Sequence, residues 1–147
     1  MSLGSSGERS AAFNRYIADP YDGAAPSAIV GALAALKRGD LLSPASTAYL
    51  LDVMSRTHTG PNRLRGGLQP GWTLSHKTGT GQELGGVQAG YNDIGILTAP
   101  DGKSYTVAVM IKKTSTPLPV RMTLMNNVVR AVIEQHDSGS GYASRRR

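Results

Sequence analysis

Four consecutive residues, Lys77, Thr78, Gly79 and Thr80, carry the groups that bind a carboxylate and support acyl transfer. A lysine ammonium and a threonine hydroxyl can hold a substrate anion through charge-assisted hydrogen bonds. The glycine lets a substrate lie against the backbone, and the next backbone N–H is free to stabilise an oxyanion. These residues therefore indicate one wall of an acyl-transfer site at the exposed end of a strand. A solvated strand end is the alternative interpretation.

Serine acyl transfer also needs a nucleophile held beside a base. No serine is followed by a lysine three positions later, and the tripeptide Ser-Asp-Asn does not occur. His58 and His136 have no partners at a metal-ligand spacing, so no metal site and no other cofactor is expected. We therefore predict that the chain is inactive by itself.

The elements that position these residues follow from the hydrophobic pattern, which predicts three helices and three strands. The helices are predicted at 26–37, from 43–44 to before Gly60, and at 120–135. The strands are predicted at 72–76, 93–98 and 104–112, with a hairpin turn at 100–103. This pattern favours an α/β (α+β layered) fold, with a three-stranded antiparallel sheet and helices packed on both faces.

The apolar positions also predict which side chains face the core. In the second helix they are Tyr49, Leu50, Val53 and Met54, and in the last helix they are Leu124, Val128, Ala131 and Val132. Trp72 and Tyr105 are expected in the core. Residues 1–23 are predicted to be flexible or loop-like, 24–136 to be the folded portion, and 137–147 to be a flexible basic tail.

The composition limits the classes of partner. The net charge is +6, but three of the 16 basic residues lie at 145–147 and the others are scattered without interleaved aromatic residues. This distribution argues against a nucleic-acid partner. No apolar run is long enough to span a bilayer, and residues 1–7 lack the pattern of an export signal. The absence of cysteine excludes disulfides and thiolate chemistry.

The segments around Lys-Thr-Gly resemble the C-terminal part of class A serine β-lactamases, which share that tripeptide with penicillin-binding proteins. The resemblance covers about 24–134. Its order and spacing are carried by Gly-Asp-Leu-Leu-Ser-Pro-Ala-Ser at 39–46, Thr-Gly-Pro-Asn-Arg-Leu-Arg-Gly-Gly-Leu at 59–68, Gly-Trp at 71–72, His-Lys-Thr-Gly-Thr-Gly at 76–81, Asn-Asp-Ile-Gly-Ile at 92–96 and Pro-Asp-Gly at 100–102. It implies a partial β-lactamase/transpeptidase-like fold that lacks the front half of the family's structure.

The resemblance also implies roles for individual residues. Lys77 would neutralise the substrate carboxylate, Thr78 would hydrogen-bond it, Gly79 would give clearance, and Thr80 would lend its backbone N–H to an oxyanion hole. Arg63 matches a position where some family members hold the same carboxylate, and a structural ion pair is the alternative.

Other residues have weaker assignments. Glu8 is the only acidic residue at a workable distance for the family's deacylating glutamate. Arg65 is expected to be structural, and His76 to be a strand-end residue that shapes the pocket. Asn92 and Asp93 are expected to tie the loop 82–90 to the sheet.

The resulting hypothesis is the C-terminal portion of a class A β-lactamase-like serine hydrolase, which opens β-lactam amides through an acyl-enzyme. A β-lactam-like carboxylate substrate and a periplasmic or secreted location are implied by the resemblance. Because half of the fold is missing, self-association or binding to an N-terminal complementary half is expected. The alternatives are a non-catalytic anion- or partner-binding module and a penicillin-binding-protein-like transpeptidase fragment.

Overall fold

The structure, a computed structural model, describes residues 5–19 and 23–144. It contains helices α1 (Ser6–Ala18), α2 (Pro26–Arg38), α3 (Pro44–Ser55) and α4 (Leu118–Ser144), and a short 3₁₀ helix at Leu64–Gly67. The strands are β1 (Thr73–Thr80), β2 (Glu83–Leu84), β3 (Val87–Thr98) and β4 (Ser104–Thr114). The predicted α/β layered fold class is confirmed.

The sheet is antiparallel, and the long strand β3 lies at its centre. β3 pairs with β1 from Thr73 opposite Thr98 to Thr80 opposite Tyr91, and with β4 on its other side. The short β2 pairs with the beginning of β3 and adds a fourth strand that the sequence pattern did not predict, because two residues show no periodicity. Within the described residues β1 pairs on one side only, so it is an edge strand.

One face of the sheet packs against α4 and the 3₁₀ helix. Its largest buried side chains, Leu64, Leu97, Met125 and Val129, have no exposed surface. The other face packs against α2 and α3 through a smaller cluster, whose buried members are Leu33, Leu36, Met54 and Ile96. Burying each such side chain stabilises the fold by about 1.5–3 kcal/mol. The helices therefore cover both faces of the sheet, as predicted.

The predicted core face of α3 was wrong for most of its residues. Tyr49 is 70% exposed, and Leu50 and Val53 also lie on the surface, while Met54 is buried. Thr47 is the other buried residue of α3. An apolar stripe in the sequence does not show how much of a helix packs against the rest of the chain. Here only part of the apolar surface of α3 is covered.

The predicted core face of α4 was displaced by one residue. Leu124 is 49% exposed and Ala131 is exposed, whereas the buried stripe is Met125, Val129 and Ile133. Val128 and Val132 pack against that stripe from its margin. Several apolar residues are adjacent in this helix, so two stripes one position apart fit the helical period almost equally well.

Helices occupy part of each end segment, and residues 1–4, 20–22 and 145–147 of the predicted flexible ends lie outside the described residues. Residues predicted to be flexible or loop-like contain α1, which begins with a capping box in which Ser5 and Glu8 bond each other's backbone N–H. Residues predicted as a tail contain the end of α4, which continues to Ser144. The division into segments at 23/24 and 136/137 stays a prediction. In the described part of the chain, no helix combines the length and apolarity needed to cross a membrane.

The hairpin between β3 and β4 and the aromatic core agree with their predictions. Ala99 and Lys103 close the hairpin turn by a backbone hydrogen bond of 2.8 Å. Trp72 is buried beside Tyr105, with ring centroids 6.0 Å apart. The Tyr105 hydroxyl lies 2.9 Å from Nδ1 of His136, which ties α4 to the sheet.

Candidate functional site

The Lys-Thr-Gly segment forms the second half of β1 and does not lie beyond the strand, as the predicted range 72–76 implied. In this segment Lys77 and Thr80 are exposed, and Thr78 is buried. Successive side chains of a strand start on opposite faces, but Lys77 Nζ bends back to the Thr78 carbonyl oxygen, so the ammonium lies at the same stretch of β1 as the two threonines. The segment therefore presents an ammonium, two hydroxyls and an edge backbone within four residues.

Lys77 carries the free charge of this segment. Its Nζ donates a hydrogen bond to the carbonyl oxygen of Thr78, and within residues 5–19 and 23–144 no carboxylate forms an ion pair with it. An exposed ammonium with only a backbone partner can bind a substrate anion without first breaking an ion pair.

The loop after α3 holds Thr78 from the side. The hydroxyls of Thr59 and Thr78 lie 2.7 Å apart. Gly60, with φ of +62°, permits this approach, since a Cβ there would lie 2.8 Å from the Thr78 methyl group. A hydroxyl both donates and accepts, so when Thr59 donates to Thr78, the Thr78 hydrogen is free for a ligand.

Arg63 packs beneath the same segment and is only 8% exposed. Its guanidinium donates to the carbonyl oxygens of Asn92 at 2.7 Å and Gly79 at 3.1 Å, and to Thr80 Oγ1 at 2.5 Å. The guanidinium carbon also lies 3.8 Å from the centre of the Tyr91 ring. The structure thus brings Arg63 to the predicted site through hydrogen bonds, and in the described part of the chain no carboxylate forms the structural ion pair considered as its alternative.

These hydrogen bonds orient the Thr80 hydroxyl. Because Thr80 Oγ1 accepts from Arg63, its hydrogen remains available to donate to a ligand. Gly79 lies opposite Asn92 in the sheet, and a Cβ at Gly79 would meet only ordinary contacts of 3.7 Å and longer. Packing within the chain therefore does not require glycine at position 79, which leaves clearance for a ligand as its expected role.

Glu8 does not join this group. Its carboxylate accepts a hydrogen bond of 2.5 Å from the backbone N–H of Ser5, at the start of α1. In the part of the chain that the structure describes, no hydrogen bond or ion pair links Glu8 to Lys77, Thr78 or Thr80. The structure gives Glu8 a capping role, and its deacylating role stays an untested prediction.

His76 and Asp93 form a buried pair that the sequence interpretation missed. Both side chains are fully buried, with His76 Nδ1 2.8 Å from Asp93 Oδ1, and Asp93 Oδ2 accepts from the backbone N–H of Leu64 at 3.2 Å. His76 lies within β1 and not at a strand end, and its pocket-shaping role stays a prediction. His76 lies opposite Gly95 and Asp93 opposite Thr78, so the two are diagonal neighbours on one face, which the sequence shows only once the register is known.

The expected tie between loop 82–90 and the sheet is made by another residue. The Gln88 side chain donates to the carbonyl oxygens of Gly81 at 2.7 Å and Gln82 at 3.1 Å. Asn92 instead bonds β4, since its Oδ1 accepts from the backbone N–H of Ile111 at 2.9 Å. Arg65 has the expected structural contact, a hydrogen bond of 3.1 Å to the carbonyl oxygen of Thr57. Among the described residues no cluster of three or more potential metal ligands occurs.

A family model described as the beta-lactamase enzyme family matches residues 8–136. The chain belongs to this family. The extended-spectrum β-lactamase PER-1 of Pseudomonas aeruginosa is 45% identical over 74 residues, which cover 50% of this chain and 24% of that protein. The resemblance to class A serine β-lactamases is confirmed.

Solved structures agree with this assignment. A β-lactamase from Chitinophaga pinensis aligns with a TM-score of 0.73 and 30% identity, over 92% of this chain and 50% of that one. An ancestral class A β-lactamase aligns with a TM-score of 0.70 and 35% identity, over 80% of this chain and 43% of that one. This chain therefore spans half or less of the relatives it matches.

Proposed function

We propose that this chain is the C-terminal portion of a class A β-lactamase-like serine hydrolase and supplies the carboxylate-binding wall of its site. The observation that carries the proposal is the buried Arg63, which joins the Gly79 carbonyl and the Thr80 hydroxyl beside Lys77, an ammonium with no carboxylate partner among the described residues. An arginine buried at this point organises hydroxyl donors along an edge strand.

In this function the Lys77 ammonium and the Thr78 and Thr80 hydroxyls bind the substrate carboxylate. The Thr80 backbone N–H stabilises the oxyanion that forms when a serine oxygen attacks the lactam carbonyl carbon. The lactam C–N bond then breaks, its nitrogen takes a proton, and water hydrolyses the acyl ester. This chain carries no Ser-Xaa-Xaa-Lys nucleophile, so that serine comes from a complementary N-terminal half.

The same features support a second interpretation, an anion- or partner-binding module without catalysis, because nothing in the wall itself forms a covalent bond. A transpeptidase fragment would use the same wall on a peptide substrate. A periplasmic or secreted location follows from the family and belongs to the proposal.

The deciding experiment is reconstitution. The chain is mixed with a separately made N-terminal half that bears the nucleophile, and hydrolysis of a chromogenic cephalosporin is followed. We expect activity from the mixture, and a loss of about 10²–10³ in rate for Lys77→Ala. Lys103→Ala, which alters an exposed lysine in the β3–β4 turn, is the matched control and should retain the rate.

Reconstituted activity that is indifferent to Lys77→Ala in a folded variant would refute the proposed wall. No hydrolysis, together with binding of a small carboxylate such as acetate that Lys77→Ala abolishes, would instead support the non-catalytic module.

A further inference from the structure

The buried pair belongs to a closed circuit of hydrogen bonds around the loop that carries Arg63. His76 Nδ1 meets Asp93 Oδ1 at 2.8 Å, and Asp93 Oδ2 accepts from Leu64 N–H at 3.2 Å. The adjacent Arg65 donates to the Thr57 carbonyl at 3.1 Å, and the Thr57 hydroxyl donates to the His76 carbonyl at 2.7 Å. The circuit returns to its starting residue, so it fixes both ends of the loop against β1.

The Asp93 carboxylate connects this circuit to the site. One of its oxygens accepts from Leu64, the residue that follows Arg63 in the chain. The carbonyl of Asn92, the residue that precedes Asp93, accepts from the Arg63 guanidinium at 2.7 Å. The backbone and the side chain of Arg63 are therefore held by two adjacent residues of β3.

The sheet makes room for this pair. A Cβ at Gly95, which lies opposite His76, would approach the Ser75 carbonyl oxygen to 2.6 Å and the His76 Cβ to 2.8 Å. The backbone of β1 already pairs with that of β3 here, so strand pairing does not need the side-chain contact. The additional bond that the pair makes leads out of the sheet to Leu64, the first residue of the 3₁₀ helix, which Arg63 directly precedes.

We propose that His76 and Asp93 are positioning residues that set the orientation of Arg63, and through it that of the Thr80 hydroxyl. This inference rests on the proposed function of the Lys77–Thr80 wall. Neither residue touches the substrate. They keep the Arg63 guanidinium hydrogen-bonded to Gly79 and Thr80. Without them, only some of the many Arg63 rotamers would reach these two acceptors.

The chemistry of the pair gives the proposal a spectroscopic test. An ionised carboxylate only accepts hydrogen bonds, so His76 must carry a proton on Nδ1 to complete the 2.8 Å contact. In Asp93→Asn, the amide oxygen must accept from Leu64, which turns the amide NH₂ toward His76. The imidazole then has to accept at Nδ1 and hold its proton on Nε2, an atom that has no partner among the described residues.

The first arm is NMR of the purified chain. Two-bond ¹H–¹⁵N spectra should show the His76 proton on Nδ1 in the unaltered chain and on Nε2 in Asp93→Asn. Asp93→Ala should speed the exchange of the Leu64 amide by roughly ten- to a hundredfold, because the charged acceptor is lost. The Arg63 guanidinium protons should exchange faster as well. Asp101→Asn, at an exposed aspartate in a turn, should change none of these signals.

Two results would overturn the proposal. One is a His76 proton that stays on Nδ1 in Asp93→Asn. This result does not depend on whether Asp93→Ala folds. The other is a folded Asp93→Ala variant whose Leu64 and Arg63 protons exchange as slowly as before.

The second arm measures hydrolysis by the reconstituted halves. Asp93→Ala should raise KM several-fold more than it lowers kcat, since Arg63 acts on the carboxylate end of the substrate. An equal change in both, or none, would contradict positioning. If the unaltered halves show no hydrolysis, the proposed function fails, and the first arm still decides whether the pair positions Arg63.

Discussion

Replacement of Arg63 by alanine should destabilise the fold as well as weaken the site. Arg63 is 8% exposed, and its guanidinium donates to two backbone carbonyls and to Thr80. Alanine leaves both carbonyl oxygens without this donor in a place that water reaches poorly. The expected outcome is a folded but less stable chain.

The size of the effect follows from the hydrogen bonds and the ring stacking that alanine removes. Each buried acceptor left without a donor costs about 1–3 kcal/mol. The stacking of Arg63 on Tyr91 contributes about 0.5–1 kcal/mol more. Because the variant does not have to bury a charged guanidinium, it avoids that desolvation penalty. The net loss in unfolding free energy is therefore about 2–4 kcal/mol. For a chain of this length that loss lowers Tm by roughly 5–15 °C.

The assay is a thermal melt followed by circular dichroism, with urea unfolding to obtain the free energy. Arg56→Ala is the matched control, because its ion pair with Asp52 is exposed and such pairs contribute about 0–1 kcal/mol. Arg63→Lys should lose nearly as much as alanine, since one ammonium cannot replace a guanidinium that bonds three oxygens. If Arg63→Ala melts within a degree of Arg56→Ala, the structural role argued for Arg63 is wrong.

Four further outcomes are expected. The chain alone should not hydrolyse a chromogenic cephalosporin, and a penicillin adduct on any serine in an intact mass spectrum would contradict this. Gly81→Ala should destabilise the chain in urea unfolding by several times the ~1 kcal/mol expected for the control Gly85→Ala. A Cβ at Gly81 would lie 1.9 Å from the Ala89 carbonyl oxygen, whereas a Cβ at Gly85 would meet no atom within 4 Å. The Lys103 backbone N–H lowers the pKa of Asp101. The difference in unfolding free energy between the unaltered chain and Asp101→Asn should therefore persist above the usual pKa of about 3.9 and vanish as pH falls through the lowered pKa. A difference that does not depend on pH would refute this expectation. The open sheet edge and exposed apolar side chains on α3 should cause self-association, which a monodisperse monomer in light scattering at tens of micromolar would exclude.

Local signals account for the parts of the fold that were predicted. Ser43 caps α3 with Pro44 at its first turn, and Gly39 ends α2 with φ of +83°, so these boundaries follow from backbone preferences of neighbouring residues. Helix α1 had a comparable signal in Ser5 and Glu8, spaced as a capping box, but Phe13 is its only buried residue, so no apolar stripe marked the helix.

In the site, too, local features were predicted and long-range contacts were not. Lys77 to Thr80 could be identified because the residues that carry the ammonium, the hydroxyls and the glycine are consecutive in the sequence. The partners of Arg63 lie 16, 17 and 29 residues away, and Asp93 lies 17 residues from His76. Contacts at such separations depend on the register of β1 against β3. A slip of one residue would move the side chains of the slipped strand to the opposite face of the sheet. No local pattern specifies that register.

The geometry also limits how Arg63 can act on a substrate. Its guanidinium is already bonded to two carbonyls and to Thr80, and 8% of the residue is exposed. A carboxylate arriving at the edge of β1 therefore meets the Lys77 ammonium and the threonine hydroxyls before it meets Arg63. Since the guanidinium holds Thr80 as an oriented donor, its positive charge strengthens that hydroxyl's hydrogen bond to an anion. Arg63 then serves the fold and the site through the same contacts, which is why stability and substrate binding should fall together when it is removed.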